Sequence, residues 1–219
     1  MKKKYVQVGL GGRARFFYEA IASTYHQTCE LVGFCDVSQT RMDYANRILV
    51  NKYGQKKVKT CMPSQFEQLL DDVRPAEVII TSVDRTHHDY IIRAMKKGYD
   101  VICEKPLTID EEKAQEIITV QKQTGRNLRV TFNYRYAPYH TKIKELIESD
   151  VIGDVFSIHF EWLLNTQHGA DYFRRWHRNK HNSGGLLVHK STHHFDLVNF
   201  WLSSQPKKVF AFGELNFYG

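Results

Sequence analysis

The chain has 219 residues, 42% of them hydrophobic, enough for one large domain or for one domain and part of a second. No run approaches the roughly 18–20 apolar residues that a membrane span needs. The net charge of +7 is spread over short clusters such as Lys56-Lys57 and Arg174-Arg175, a pattern that disfavours a nucleic-acid interface and suits a small anionic ligand such as a dinucleotide.

Met1-Lys2-Lys3-Lys4 imitates the start of a signal peptide, but the apolar stretch behind it is short and broken by glycines, so a cytoplasmic protein is expected. Cys29, Cys35, Cys61 and Cys103 have neither metal nor redox spacing and read as buried free thiols.

Tyr5-Val6-Gln7-Val8 reads as a strand, Gly9-Leu10-Gly11-Gly12-Arg13-Ala14 as a glycine turn, and residues 15–22 as a helix. Gly9 permits the tight turn, Gly11 lets the backbone approach a pyrophosphate, and Ala14 keeps the helix close to the strand. The helix amino terminus then faces the phosphates, and the whole loop, Gly12 and Arg13 included, is assigned to a dinucleotide. A second strand over residues 30–35 ends at Asp36. An acidic residue there suits a ribose hydroxyl and repels a 2′-phosphate, so NAD is expected over NADP, with Arg41 leaving NADP open. The competing role for Asp36 is to cap the helix over residues 38–53.

Residues 57–61 form a short third strand, and Ser64-Gln65-Phe66-Glu67 has the pattern of a capping box opening a helix. Strand four, Glu77-Val78-Ile79-Ile80, ends in Thr81 and Ser82, which face the crevice at the carboxyl edge of the sheet. A helix over residues 87–97 stops at Gly98. His87 near its start is a candidate cofactor contact, with capping or packing as the rival role.

Strand five, over residues 100–103, runs into Glu104-Lys105-Pro106. Pro106 removes a backbone donor and biases Lys105 away from the helical region, so the chain turns and the lysine points over the sheet edge. A lysine in a partly dry crevice can lose its charge and carry a proton. Thr108-Ile109-Asp110-Glu111 reads as a second capping box, Gly125 ends its helix, and residues 128–133 form strand six. The alternation of strand and helix predicts an α/β fold with a Rossmann-type doubly wound parallel sheet over residues 1–127.

Residues 128–219 read as the start of an α+β domain. Pro138 opens a helix, residues 155–164 alternate as in an antiparallel sheet, and residues 165–183 are polar, aromatic and basic. Residues 184–201 read as a single helix after a glycine-rich entry. Residues 207–218 alternate again, with Phe210, Phe212, Leu215 and Phe217 among their apolar side chains.

The glycine loop, Asp36, Glu104-Lys105-Pro106, Asn133-Tyr134-Arg135-Tyr136, and the run from Gly184-Gly185 through His193-His194-Phe195-Asp196 to Trp201 together resemble the glucose–fructose oxidoreductase and inositol dehydrogenase family (Gfo/Idh/MocA). The resemblance covers essentially the whole chain. It implies an amino-terminal Rossmann domain, a carboxyl-terminal α+β domain with a large open sheet, a nicotinamide dinucleotide, and a sugar, polyol or derivative as substrate. It also implies that Lys105 contacts the reacting hydroxyl and that His193 is the general acid/base. Glu104 and Lys105 fall on the cofactor side, and Tyr134, Arg135, Trp176, His177 and Lys190 on the substrate side.

Many members of that family carry an aspartate four residues before the histidine; here the position is His189, followed by Lys190. On a continuous helix His189, His193 and Asp196 would share a face, so a rewired relay with His189 as a third catalytic candidate is expected. The same histidine pair has zincin spacing, but Lys190 stands where the base glutamate belongs, and no metal is expected.

An NAD(P)-dependent oxidoreductase is the leading reading. An NAD-dependent glycoside hydrolase working by transient oxidation, or a non-catalytic dinucleotide sensor, are the alternatives. Family members are longer, so the sequence is expected to be the amino-terminal portion of a protein that forms a homo-oligomer through its carboxyl-terminal sheet.

Overall fold

Along β1 (Lys3–Val8), Val6 and Val8 turn to one face and Gln7 to the other, all three essentially inaccessible to water. A strand buried on both faces belongs at the centre of a covered parallel sheet, and β1 is central here. The protein is described by a computed structural model whose described residues are 1–214. The other strands are β2 (Cys29–Cys35), β3 (Lys59–Cys61), β4 (Glu77–Ile80), β5 (Asp100–Cys103) and β6 (Leu128–Val130). All pair in parallel in the order β3-β2-β1-β4-β5-β6, so the direction of winding reverses between β1 and β4. That reversal is where open α/β sheets bind ligands.

Helices cover both faces. On one side α3 (Phe66–Val73), α4 (Asp84–Lys96) and α5 (Glu111–Thr124) bury Phe66, Leu70, Ile91, Met95 and Ile117 against Val6, Val8, Val78 and Ile80. On the other, α1 (Ala14–Ala22) and α2 (Gln39–Tyr53) bury Ala14, Tyr18, Met42 and Leu49 around Phe34.

The helix starts differ in detail from the expectation. Before α5 the cap is Asp110, whose side chain accepts from Lys113 N–H at 2.9 Å, and not Thr108. Before α3, Pro63 opens a 3-10 turn and no side-chain cap forms at Gln65, so the capping box at Ser64 is not made. Gly54 and Gly125 end α2 and α5 in left-handed backbone, as helix-stopping glycines do.

The chain divides into two compact units, Met1–Thr131 and the residues from Phe132 onward. Because β6 pairs with β5, the boundary lies just past the expected residue 127. In the second unit α6 (Pro138–Glu148) is followed by the short helices α7 (Thr166–Gly169), α8 (Asp171–Arg174), α9 (Lys180–Ser183) and α10 (Leu186–His189), and then by α11 (Thr192–Leu202). Trp201 on α11 donates its indole N–H to His140 O on α6 at 3.0 Å, and Leu197 on α11 is fully buried.

Two expectations for this unit are corrected. The helix over residues 184–201 is two helices, α10 and α11, broken at Lys190-Ser191. Ser191 and Thr192 stand at the junction, and such residues favour helix starts over helix interiors. The antiparallel pairing is also not formed among the described residues: residues 155–164 and 207–214 belong to no helix or sheet there. A strand is a pairing, and alternation alone does not make one. Leu215, Phe217 and Tyr218 of the second alternating stretch lie outside the described residues. Among the described residues no helix is long and apolar enough to cross a membrane.

Phe66 is fully buried, packed edge-on against Tyr90 at 5.2 Å. Phe66→Ala is therefore expected to cost about 3–5 kcal/mol in urea denaturation followed on the first unit. A cost below about 1 kcal/mol would show that the face is loosely packed.

Candidate active site

The carboxyl edge of the sheet is assembled around Gly9. Its φ is +81°, and a Cβ added there would lie 2.4 Å from Ser82 Cα, so the turn after β1 rests directly on the turn after β4. Gln7 locks this approach from inside. Its Nε2 donates to Ala14 O at 3.0 Å and to Thr81 Oγ1 at 3.1 Å, and the Thr81 hydroxyl donates to Gly9 O at 2.6 Å. The start of α1 is thereby tied to the ends of β1 and β4. Thr81 is buried and spends its hydroxyl on this lock, which gives it a positioning role in place of the expected cofactor contact.

The next stretch of the turn is open. Added Cβ atoms at Gly11 and Gly12 would meet nothing within 4 Å, and Arg13 at the start of α1 makes no side-chain cap bond. Among the described residues no hydrogen bond is made by the N–H groups of Gly11, Gly12 and Arg13. Unpaired donors at the positive end of a helix, with backbone bare on the approach side, fit the pyrophosphate of a dinucleotide.

Asp36 stands beside this turn, 4% exposed. Its carboxylate accepts from Leu10 N–H at 2.5 Å and from Ser38 N–H at 2.8 Å, with Arg41 Nη1 at 3.7 Å. Ser38, not Asp36, is the residue at the start of α2 whose side chain accepts from the helix, bonding Arg41 N–H at 3.4 Å. Both carboxylate oxygens keep lone pairs, so the group can still accept from ribose hydroxyls while its charge opposes a 2′-phosphate.

Glu104 and Lys105 close the edge on the β5 side. Glu104 is buried; it accepts from Arg13 Nε at 2.6 Å and from Lys105 N–H at 3.0 Å. Arg13 thus bridges the glycine turn and the β5 turn while its guanidinium lies 4.6 Å from the Phe16 ring. Lys105 is half-buried, and its bond to Pro106 is cis. His87 is 1% exposed, with Nδ1 2.8 Å from Pro106 O and Nε2 3.1 Å from Ser82 O. It is a strut between the β4 and β5 turns, not a face offered to a ligand. Burial pushes the neighbouring Cys103 thiol well above its ordinary range, which keeps it protonated and inert.

In the second unit His193 is buried, its ring stacked on Tyr134 at 3.9 Å and 4° and edge-on to Phe132 at 6.1 Å. Lys190 Nζ donates to Tyr134 Oη at 2.8 Å. His189 belongs to another group of rings, 4.6 Å from His177 and 5.6 Å from Trp176, which stack on each other at 3.9 Å. Asp196 takes Arg135 in a two-point ion pair that raises the guanidinium pKa. The helix breaks between the two histidines and the Asp196 carboxylate is engaged by Arg135, so His189, His193 and Asp196 do not share the face of one continuous helix. Arg135 in turn braces this unit through that pair. Among the described residues no group of three or more His, Cys, Asp or Glu side chains is arranged to hold a metal ion.

Sequence reasoning missed Gln7 and His140. Gln7 carried a signal, a lone amide inside an apolar strand. His140 carried none; it is buried among Tyr139, Tyr134 and Trp201, and that burial lowers its pKa.

Comparison with known proteins agrees with this geometry. The description "Oxidoreductase family, NAD-binding Rossmann fold" matches residues 3–132, and "Oxidoreductase family, C-terminal alpha/beta domain" matches residues 144–216. The chain belongs to the Gfo/Idh/MocA oxidoreductase family, whose Rossmann domain binds NAD.

YteT of Bacillus subtilis (strain 168), named as an oxidoreductase, is 38% identical over 99% of this chain and 50% of its own length. The inositol 2-dehydrogenase of Rhizobium meliloti (strain 1021) is 32% identical over 62% of this chain and 39% of its own. The fold is shared with scyllo-inositol dehydrogenase from Lactobacillus casei, solved with NAD(H) and scyllo-inositol. The TM-score is 0.75 at 23% identity, covering 93% of this chain and 57% of that one. The chain spans about half the length of YteT, and its match to the inositol 2-dehydrogenase covers 39% of that protein.

The two kinds of glycine in the turn separate in a simple test. Gly9→Ala forces a Cβ into the Ser82 backbone and is expected to lower Tm sharply or prevent folding. Gly11→Ala meets open space and is expected to keep Tm while weakening NAD binding by about tenfold or more. Calorimetric titration and thermal melts check both, and equal behaviour of the two variants would contradict the division of labour.

Proposed function

We propose that the protein is an NAD(P)-dependent oxidoreductase that moves hydride between nicotinamide and a hydroxyl or carbonyl of a sugar, polyol or derivative. The observation that carries the reading is the open glycine turn at the start of α1, where the N–H groups of Gly11, Gly12 and Arg13 make no hydrogen bond among the described residues and Asp36 is held alongside. The inositol dehydrogenases among the relatives support the substrate class.

NAD, when bound, supplies the hydride acceptor. Removing hydride from a carbinol leaves an oxygen that must shed its proton. In this reading Lys105 donates a hydrogen bond to that oxygen from the β5 turn, and its charge stabilises the oxygen as it becomes anionic. His193 accepts the proton, as an imidazole can near neutral pH. Tyr134 holds the His193 ring flat, and Lys190 holds Tyr134 by its hydroxyl.

The reading includes a cytoplasmic homo-oligomer. Support for association comes from Phe156, Leu163, Val209, Phe210 and Phe212, each more than four-fifths exposed on chain that joins no helix or sheet among the described residues. Apolar surface of that kind is commonly covered by a partner.

The test is a cofactor-reduction screen of sugars and polyols, with Lys105→Ala and His193→Ala as comparisons. Each variant is expected to lose turnover by a factor on the order of 10² or more while keeping its NAD affinity. Near-normal turnover in either would remove that residue from the chemistry.

A further inference from the structure

Lys190 is 6% exposed, at the break between α10 and α11. Its ammonium carries three N–H donors, and among the described residues Tyr134 is the side chain they meet, through Oη at 2.8 Å and the ring at 5.2 Å from its centroid. No carboxylate of the described residues pairs with it, and Asp196 is taken by Arg135. Buried ammonium groups are normally paired, because leaving water without a counter-charge is costly and one neutral phenol does not replace it.

The adjoining stretch of sequence is strongly basic. Between residues 165 and 194 the sequence sets Arg174, Arg175, Arg178, Lys180 and Lys190 against Asp171 alone. The 3-10 turn Trp176–Arg178 brings the start of that basic run onto His189, the residue before Lys190. A site that recognised only neutral hydroxyls would need no such excess, since a polyol leaves a buried ammonium uncompensated.

We infer that the substrate is anionic, a sugar or polyol bearing a carboxylate or a phosphate, and that Lys190 pairs with that group. This deepens the oxidoreductase reading and rests on it for the frame that carries the charge. Through the Tyr134 ring stacked at 3.9 Å, Lys190 is linked to His193, so an anion held at Nζ would lie near the proposed proton acceptor. Charge on the substrate would then set specificity in the same stroke that completes the pairing of Lys190.

Matched pairs test this on the full chain with NAD: glucose against glucuronate, galactose against galacturonate, and glucose against glucose 6-phosphate. The charged member is expected to be favoured by about tenfold or more in kcat/KM, and the carboxylate and phosphate arms identify the group. Lys190→Gln is expected to erase that preference, mainly through KM, and Lys190→Arg to keep much of it.

Thermal shift of the unsubstituted protein with NAD and each sugar gives a second readout that needs neither turnover nor a folded variant. Stabilisation by the acids or the phosphate without cofactor reduction would keep the charge inference and sink the oxidoreductase reading. Equal or better use of the neutral sugars, equal losses for both members of a pair in Lys190→Gln, or no anion-selective response in either assay would overturn the inference.

Discussion

The close approach of Gly9 to Ser82 is the constraint on which the first unit depends. It requires the one residue without a Cβ and a backbone that L side chains rarely adopt. Gln7 and Thr81 hold it from beneath, with an amide in the middle of an apolar strand spending its donors on the turn and the start of α1. A buried amide so used is worth more as a specifier of geometry than as a source of stability, since much of what its hydrogen bonds return is lost on desolvation. What the arrangement secures is a bare stretch of backbone at Gly11 and Gly12, aimed at an anion by the helix that follows.

A second set of polar struts brings the β5 turn to the same edge. Arg13 reaches Glu104, and His87 spans the carbonyls of Ser82 and Pro106. Four strand ends, those of β1, β2, β4 and β5, are thus fixed relative to one another by buried side chains before any ligand arrives. That is the preorganisation a site needs if binding energy is not to be spent on ordering loops. The second unit follows another logic: stacked rings around His193 and His189, one carboxylate neutralised by Arg135, and a buried ammonium facing a phenol.

Much of the first unit was legible in the residues alone. Strand and helix alternate with clear punctuation, and glycine is diagnostic where φ is positive, as at Gly9, Gly54, Gly98 and Gly125. Asp36 was legible because its distance from the glycines is fixed by one β-α-β unit. The roles of Thr81 and His87 were not, since position at a strand or helix end cannot distinguish a side chain pointing outward from one turned under to brace the next turn. The break at Lys190 was hidden because 3.6-residue periodicity persists across a junction whose backbone stays near helical values. Alternation over residues 155–164 suggested a strand, but pairing depends on neighbours that local sequence does not encode.

The central claim is that the open turn between Gly9 and Arg13, with Asp36 at its side, is a dinucleotide site with a preference set by charge. Titrating the chain calorimetrically with NAD and with NADP tests it without any knowledge of the substrate. Saturable binding of NAD, about tenfold or more tighter than NADP, is the expected result. Binding of NADP as tight as NAD, or no binding of either, would contradict it.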